Sequence, residues 1–374
     1  MNEVVITGGG TGGHIFPMLA LADALRESGV PANALRFVGS RRGQEATLLS
    51  GPVPVTLLAG RGIQRSWSSR AWRQNAGAVA QLIGAGAAAA YWIGRWRPAV
   101  VVSFGGYASL AVSVGAVLWR RPLVLVDLDA VPGAAHRLVA RFAARRCVAF
   151  SDTGVDVDVR RVVTGVPVRP AIAALDRSAP ARARARAALD PPLDPSRRVI
   201  VVMTGSLGAA SVNQAVSELA SRWADREDVA LIHVTGRRDE AWVRAAQPRG
   251  ARLDYRVIGF ADMATWWAVA DVAVSRAGAA TIAELTMLGI ASVLVPLPGA
   301  PGDHQTRNAR RVEEAGGALV LADARCTATS LGDALREVLS GETAAVMGEA
   351  ARSLAHPDAA AAIARVTREV GGLR

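Results

Sequence analysis

Residues 8–14 read GGGTGGH, six positions of which only Thr11 is not glycine, closed by His14. A glycine run after a short apolar strand leaves backbone N–H groups uncovered, and such groups at a helix N-terminus bind phosphate. A histidine on the rim supplies a group that accepts a proton near neutral pH. Gly8, Gly10 and Gly13 also fit G-x-G-x-x-G, the fingerprint of a dinucleotide site. That site needs an acidic residue at the end of the second strand to hold the ribose hydroxyls. Here the second strand runs LRFVGSRRGQE, with Gly39 and Ser40 at that point. Arg41 and Arg42 can take a ribose phosphate, so an NADP-dependent oxidoreductase stays open. So does a glycine turn that only lets a helix pack close to its strand.

Glycine-rich turns recur after other apolar runs: FGGYAS (104–109), TGSLGAA (204–210) and RAGAATIAE (276–284). Several such turns on one crevice suit a ligand that carries a diphosphate and several hydroxyls.

The elements that must position these turns alternate. Short apolar runs at 4–7, 35–39, 53–58, 100–105, 122–127 and 147–151 are separated by helical patterns, which predicts a parallel, doubly wound α/β sheet. The stretch 171–198, rich in Pro, Arg and Ala, breaks the rhythm and reads as a connector with a short solvated helix. The plan then restarts with strand, glycine turn and helix at 198–216, followed by strands at 229–236, 255–260, 271–278 and 291–297. Two doubly wound Rossmann-like domains are expected to face a ligand crevice at the carboxyl ends of their strands. We place the N-terminal domain at 1–166, with a helix at about 356–374 packing back on it, and the C-terminal domain at 167–355.

The 374 residues suffice for two cores, and 51% hydrophobic content excludes disorder. The net charge is +11 and all 43 cations are arginine. Such a surface attracts phosphate or anionic lipid, but no nucleic-acid motif accompanies it. Cys147 and Cys326 have neither disulfide-framework nor metal spacing. The first strand is too short for a signal peptide, and residues 76–94, mostly Ala and Gly with Gln81, read as a packed helix. A cytoplasmic protein is expected.

Taken in order, GGGTGGHIFP, FGGYAS, TGVPVRP, TGSLGA, RAGAATIAE and DHQTRNA resemble the MurG family over nearly the whole chain, from residue 4 to about 360. These are peripheral membrane enzymes that move N-acetylglucosamine from UDP-GlcNAc to lipid I, making lipid II for peptidoglycan. The resemblance implies GT-B architecture, inversion at the anomeric carbon and no metal or other cofactor. It implies that Gly9, Gly10, Thr11, Gly12 and Gly13 hold the acceptor's diphosphate, with Gly105, Gly106, Tyr107, Asp127 and Asp129 also on the acceptor side. His14 is then the general base. On the donor side, Ser206, Leu207 and Gly208 cradle the UDP diphosphate, with Arg169 adding charge. Glu284 accepts from the two ribose hydroxyls, each carboxylate oxygen taking one bond. His304 and Gln305 face the sugar, supported by Asn308, and Ile258, Arg276, Gly278, Ala279 and Thr281 complete the pocket. His136 and His233 match no binding motif and read as structural.

One stretch departs from the family. After the fifth strand its members commonly carry His-Glu-Gln-Asn, where this chain has Val126, Asp127, Leu128 and Asp129. A site that hydrogen-bonds a particular hydroxyl or acetamido group discriminates against mismatches, so a paralogue stays open. It would use another UDP-sugar or glycosylate another lipid phosphate or diphosphate, as in making a phosphoglycolipid antibiotic. The resemblance also implies docking on the anionic cytoplasmic face of the cell membrane. The stretch 60–75 offers Ile63, Trp67 and Trp72 among Arg65, Arg70 and Arg73, a mixture that suits a headgroup interface.

Overall fold

The computed structural model describes residues 3–9, 12–41, 49, 51–58, 84–150, 158–205 and 208–373. The chain divides into two units, one made of Met1–Arg169 with His356–Arg374, the other of Pro170–Ala355.

The first unit holds β1 (Val4–Thr7), β2 (Leu35–Ser40), β3 (Val55–Leu58), β4 (Val100–Ser103), β5 (Leu123–Asp127), β6 (Arg145–Val148) and β7 (Arg161–Val163). They form one parallel sheet in the order β3-β2-β1-β4-β5-β6-β7. Every residue of β1, β4 and β5 is buried, because helices cover both faces of a parallel sheet and leave no polar side. The strand order reverses between β1 and β4. The helices that follow these two strands, Gly12–Glu27 and Tyr107–Leu118, start at that point, where open α/β sheets bind ligands. The C-terminal helix Ala359–Gly371 packs against Gly12–Glu27. Residues 84–96 are helical, and Ala85, Ala89 and Ile93 join the core beside Val101 and Leu123. Among the described residues no helix is long and apolar enough to cross a membrane.

The second unit repeats the plan. Its strands β8 (Arg198–Met203), β9 (Val229–Val234), β10 (Asp254–Ile258), β11 (Val272–Ser275), β12 (Ala291–Leu294) and β13 (Ala318–Val320) run parallel in the order β10-β9-β8-β11-β12-β13. The order reverses between β8 and β11. The helix Ala179–Ala187 is not simply solvated, as its arginine-rich sequence suggests. Arg186 is buried, and Arg182 and Arg186 each donate to one oxygen of Asp271 at 2.7 Å. Asp271 also accepts from Val199 N, so the connector is clamped to the starts of β8 and β11. The three-residue edge strands β7 and β13 escape the sequence pattern, because so short a run carries no measurable period.

Candidate functional site

In the first unit the turns after β1 and β4 meet backbone to backbone. Phe104 N donates to Thr7 O at 2.8 Å, which binds the end of β4 to the end of β1. Gly105 and Gly106 adopt φ of 91° and 95°, a region that L side chains avoid. A Cβ on Gly106 would stand 2.6 Å from Gly9 O, so only glycine lets the two turns touch. Gly12 and Gly13 open the helix whose third residue is the half-buried His14. Its Nε2 lies 3.9 Å from the point where a Gly105 side chain would begin. A histidine thus stands beside a floor of bare peptide at two helix N-termini, an arrangement that can hold a diphosphate and accept a proton next to it. Arg169 belongs to this unit, its guanidinium 4.6 Å above the ring of Phe16, two residues past His14.

In the second unit the turn after β8 passes through Gly205 and Gly208, with φ of 84° and 77°, and closes through Gly208 N to Gly205 O at 3.0 Å. It opens the helix Ala210–Arg222. A Cβ on Gly236, in the turn after β9, would lie 2.4 Å from Gly208 N. A buried polar chain braces this pair of turns. Asn213 Nδ2 donates to Thr235 O at 3.0 Å and to Asp239 Oδ2 at 2.8 Å. Its Oδ1 must therefore accept from His233 Nε2 at 2.9 Å, which leaves His233 Nδ1 to accept from the Tyr255 hydroxyl at 2.9 Å. Burial pushes the His233 pKa down to about 3, so the ring stays neutral and this tautomer holds.

Glu284 stands on the helix Ala279–Leu288 that follows β11, one oxygen accepting from Trp267 Nε1 at 2.9 Å. It is the sixth residue of that helix, past the first turn where the helix dipole favours acids. An acid 9% exposed is therefore held by a specific partner, the indole of a fully buried tryptophan. Gln305, on the helix His304–Glu314, accepts through Oε1 from Ala277 N at 3.1 Å and Leu297 N at 3.0 Å. Asn308 Nδ2 donates to Ala277 O at 3.2 Å. These two amides staple the turn before Gly278 and Ala279. The half-buried Thr281 lies one turn along, and the half-buried Ile258 ends β10. His304 begins its helix behind Asp303, whose φ is 53°. Among the described residues no three His, Cys, Asp or Glu side chains cluster as a metal site.

Two family models match the chain, the glycosyltransferase family 28 N-terminal domain over residues 4–148 and its C-terminal domain over 199–363. The UDP-N-acetylglucosamine–N-acetylmuramyl-(pentapeptide) pyrophosphoryl-undecaprenol N-acetylglucosamine transferase of Alkalilimnicola ehrlichii is 37% identical over 98% of each chain. The chain belongs to the MurG family. The transferase of the same name from Moorella thermoacetica is 36% identical over 97% of this chain and 98% of that one. The crystal structure of Acinetobacter baumannii MurG aligns with a TM-score of 0.75 at 25% identity, over 99% of this chain and all of that one. The chain is thus a GT-B glycosyltransferase, and the glycine run is no dinucleotide fingerprint.

Set against the residues expected from the MurG motifs, the structure brings Gly9, Gly12, Gly13, His14, Gly105 and Gly106 together in the first unit. In the second unit Gly208, Ile258, Gly278 and Ala279 lie at or just past the ends of β8, β10 and β11, and Gln305 and Asn308 bond to Ala277 beside them. Thr281 and Glu284 lie along the helix after β11, and His304 opens the helix that carries Gln305 and Asn308. Gly10, Thr11, Ser206, Leu207 and the stretch 60–75, with Ile63, Arg65, Trp67, Arg70, Trp72 and Arg73, lie outside the described residues, as does the side chain of Tyr107. Two expectations need correction. Asp127 is buried, with His136 Nδ1 2.7 Å from one oxygen and Arg146 Nη2 3.2 Å from the other, so it holds protein groups rather than an acceptor. Asp129, two residues on, is half-buried. Arg276 donates to Val295 O, Pro296 O, Asp323 and Ser211. It ties the β11 turn to its neighbours, these partners all being protein groups. Motif reading also passes over His136, which reaches Gly105 from a helix after β5 with nothing in its own stretch to announce it.

Proposed function

We propose that this chain transfers N-acetylglucosamine from UDP-GlcNAc to lipid I, with inversion and without a metal ion, to give lipid II. One observation carries the reading beyond the relatives' names. Each unit has its own glycine-floored helix N-terminus, and the reaction brings together two diphosphates, one on the nucleotide sugar and one on the lipid acceptor. The second unit takes the donor, with Gly208 at the diphosphate, Glu284 on the ribose hydroxyls, and His304 and Gln305 toward the sugar. The first unit takes the acceptor diphosphate on the Gly9–Gly13 turn. The acceptor hydroxyl attacks the anomeric carbon on the face opposite UDP and gives its proton to His14. The new C–O bond forms as the bond to UDP breaks, and UDP leaves with the electron pair. Helix N-terminal N–H groups of the second unit stabilise the charge that develops on the leaving diphosphate.

Thermal unfolding in the presence of UDP, UDP-GlcNAc, UDP-N-acetylgalactosamine and NADPH tests the donor assignment, since a ligand that binds only the native state raises Tm by mass action. UDP raises Tm and UDP-GlcNAc raises it most. A shift with NADPH alone contradicts the reading.

The acceptor's lipid chain calls for a membrane surface, and the first unit carries a face suited to one. Tyr91 and Trp92 meet edge to face at 5.1 Å, Trp92 stacks on Trp96 at 5.2 Å, and Trp119 Nε1 donates to Ala90 O at 2.7 Å. Leu118 and Tyr91 are each more than 60% exposed, and Arg95, Arg97, Arg120 and Arg121 adjoin in sequence. Exposed rings among arginines favour an anionic headgroup layer. The protein therefore sediments with phosphatidylglycerol vesicles at low salt and is released as salt rises, and Leu118→Asp weakens the binding. Sedimentation indifferent to lipid charge and to this substitution contradicts the assignment of this face.

A further inference from the structure

Beneath the Gly105–Gly106 turn runs a buried hydrogen-bonded chain. Ser103 Oγ, at the end of β4, lies 2.9 Å from His136 Nε2. His136 Nδ1 lies 2.7 Å from Asp127 Oδ1, and Arg146 Nη2 donates to Asp127 Oδ2 at 3.2 Å. Ser103, His136 and Asp127 are 0%, 3% and 5% exposed. The Ser–His–Asp order is that of a hydrolase, but a hydroxyl with no exposure meets no substrate, so Ser103 is not a nucleophile. Burial alone raises the Asp127 pKa. The hydrogen bond and charge of His136, followed by those of Arg146, outweigh it and hold the carboxyl below its ordinary value. An ionised Asp127 accepts from His136 Nδ1–H, which fixes the ring plane and aims Nε2 at Ser103.

The chain ties three neighbouring strands together, the ends of β4 and β5 through Ser103 and Asp127 and the body of β6 through Arg146. It also reaches the side of the turn where a Gly105 side chain would stand. The His136 ring atoms Cε1 and Nε2 are both 3.8 Å from the point where a Gly105 side chain would begin, and His14 Nε2 is 3.9 Å from that point. The side of Gly105 where a Cβ would stand thus faces two imidazoles, the half-buried His14 and the buried His136. Two adjacent glycines have no side chains to anchor them and the largest backbone freedom of any residues, so their position is set by what packs against them. Here Gly9 stands against Gly106, Ser109 Oγ donates to the Gly106 carbonyl at 2.8 Å, and His136 faces Gly105.

We infer that Asp127, His136 and Ser103 form a device that sets the Gly105–Gly106 turn against Gly9 and His14, making His136 a positioning residue for acceptor binding. The inference rests on the first unit being the acceptor site. A group misplaced by about 1 Å costs on the order of 10²-fold in rate, so a shifted turn is felt strongly.

Steady-state transfer kinetics with UDP-GlcNAc and lipid I test it on the wild type, Ser103→Ala, His136→Ala and His136→Gln. His136→Ala raises the acceptor KM by roughly tenfold or more, within the cost of such a misplacement, while the donor KM stays nearly constant. Ser103→Ala, which removes one oxygen and leaves the core filled, raises the acceptor KM in the same sense by less. His136→Gln, whose amide can still bond one partner, recovers part of the loss. An acceptor KM unchanged in both alanine variants overturns the inference. So does a parallel rise in donor and acceptor KM with a fall in Tm, which marks a merely structural chain. A wild-type protein that shows no transfer to lipid I instead overturns the acceptor reading itself.

Discussion

His14→Ala lowers kcat by about 10²–10⁴-fold, the range spanned by a single positioned acid or base, and leaves UDP-GlcNAc binding intact. The separation follows from geometry. His14 belongs to the first unit, beside Gly105, whereas Glu284, Gln305 and the Gly208 turn belong to the second. Its loss removes the proton acceptor and nothing that holds the nucleotide. Isothermal titration with UDP-GlcNAc alongside single-turnover transfer checks both halves. Full turnover by the alanine variant removes His14 from the chemistry, and lost donor binding moves it to the wrong substrate.

Glu284→Gln weakens UDP binding by about 10–100-fold, since hydrogen bonds to a charged acceptor contribute roughly 1.5–3 kcal/mol each and those made to a neutral amide contribute less. Glutamine is the informative change because its oxygen still accepts from Trp267 Nε1, the bond made at 2.9 Å in the native chain. Alanine would also leave that indole N–H unpaired in the core, adding an instability unrelated to the ligand. Trp267→Phe provides the complementary test. It keeps the carboxylate but removes the donor that orients it, and weakens UDP binding by less than Glu284→Gln does. Unchanged UDP affinity in Glu284→Gln removes the ribose from this residue.

The two sheets were legible in the sequence because parallel strands buried on both faces are short, uniformly apolar runs. Val4–Thr7 and Val100–Ser103 are of this kind, each followed by glycine and a helix. The glycines were legible too, since a bare turn at a helix start has few other uses. What stayed hidden depends on partners distant in the chain. Nothing local to Glu284 shows that Trp267, seventeen residues earlier on another helix, donates to it. Arg276 reads as a ligand group from its place beside Gly278, yet its guanidinium is drawn off by Asp323 and two carbonyls across the sheet. Asp127 fills a position where the family carries a carboxylate. Nothing local shows that Arg146 on β6 and His136 converge on it from either side. Motif spacing records which residue types a site needs, whereas burial decides which of them remain available to a ligand.

The most direct measurement follows radiolabelled N-acetylglucosamine from UDP-GlcNAc into a lipid fraction, using purified protein, lipid I in detergent and excess EDTA. The account predicts label in lipid II at an undiminished rate in the chelator, with inverted configuration at the new linkage. Transfer abolished by EDTA and restored by a divalent cation contradicts the metal-free mechanism, and label that never leaves UDP contradicts the assigned reaction.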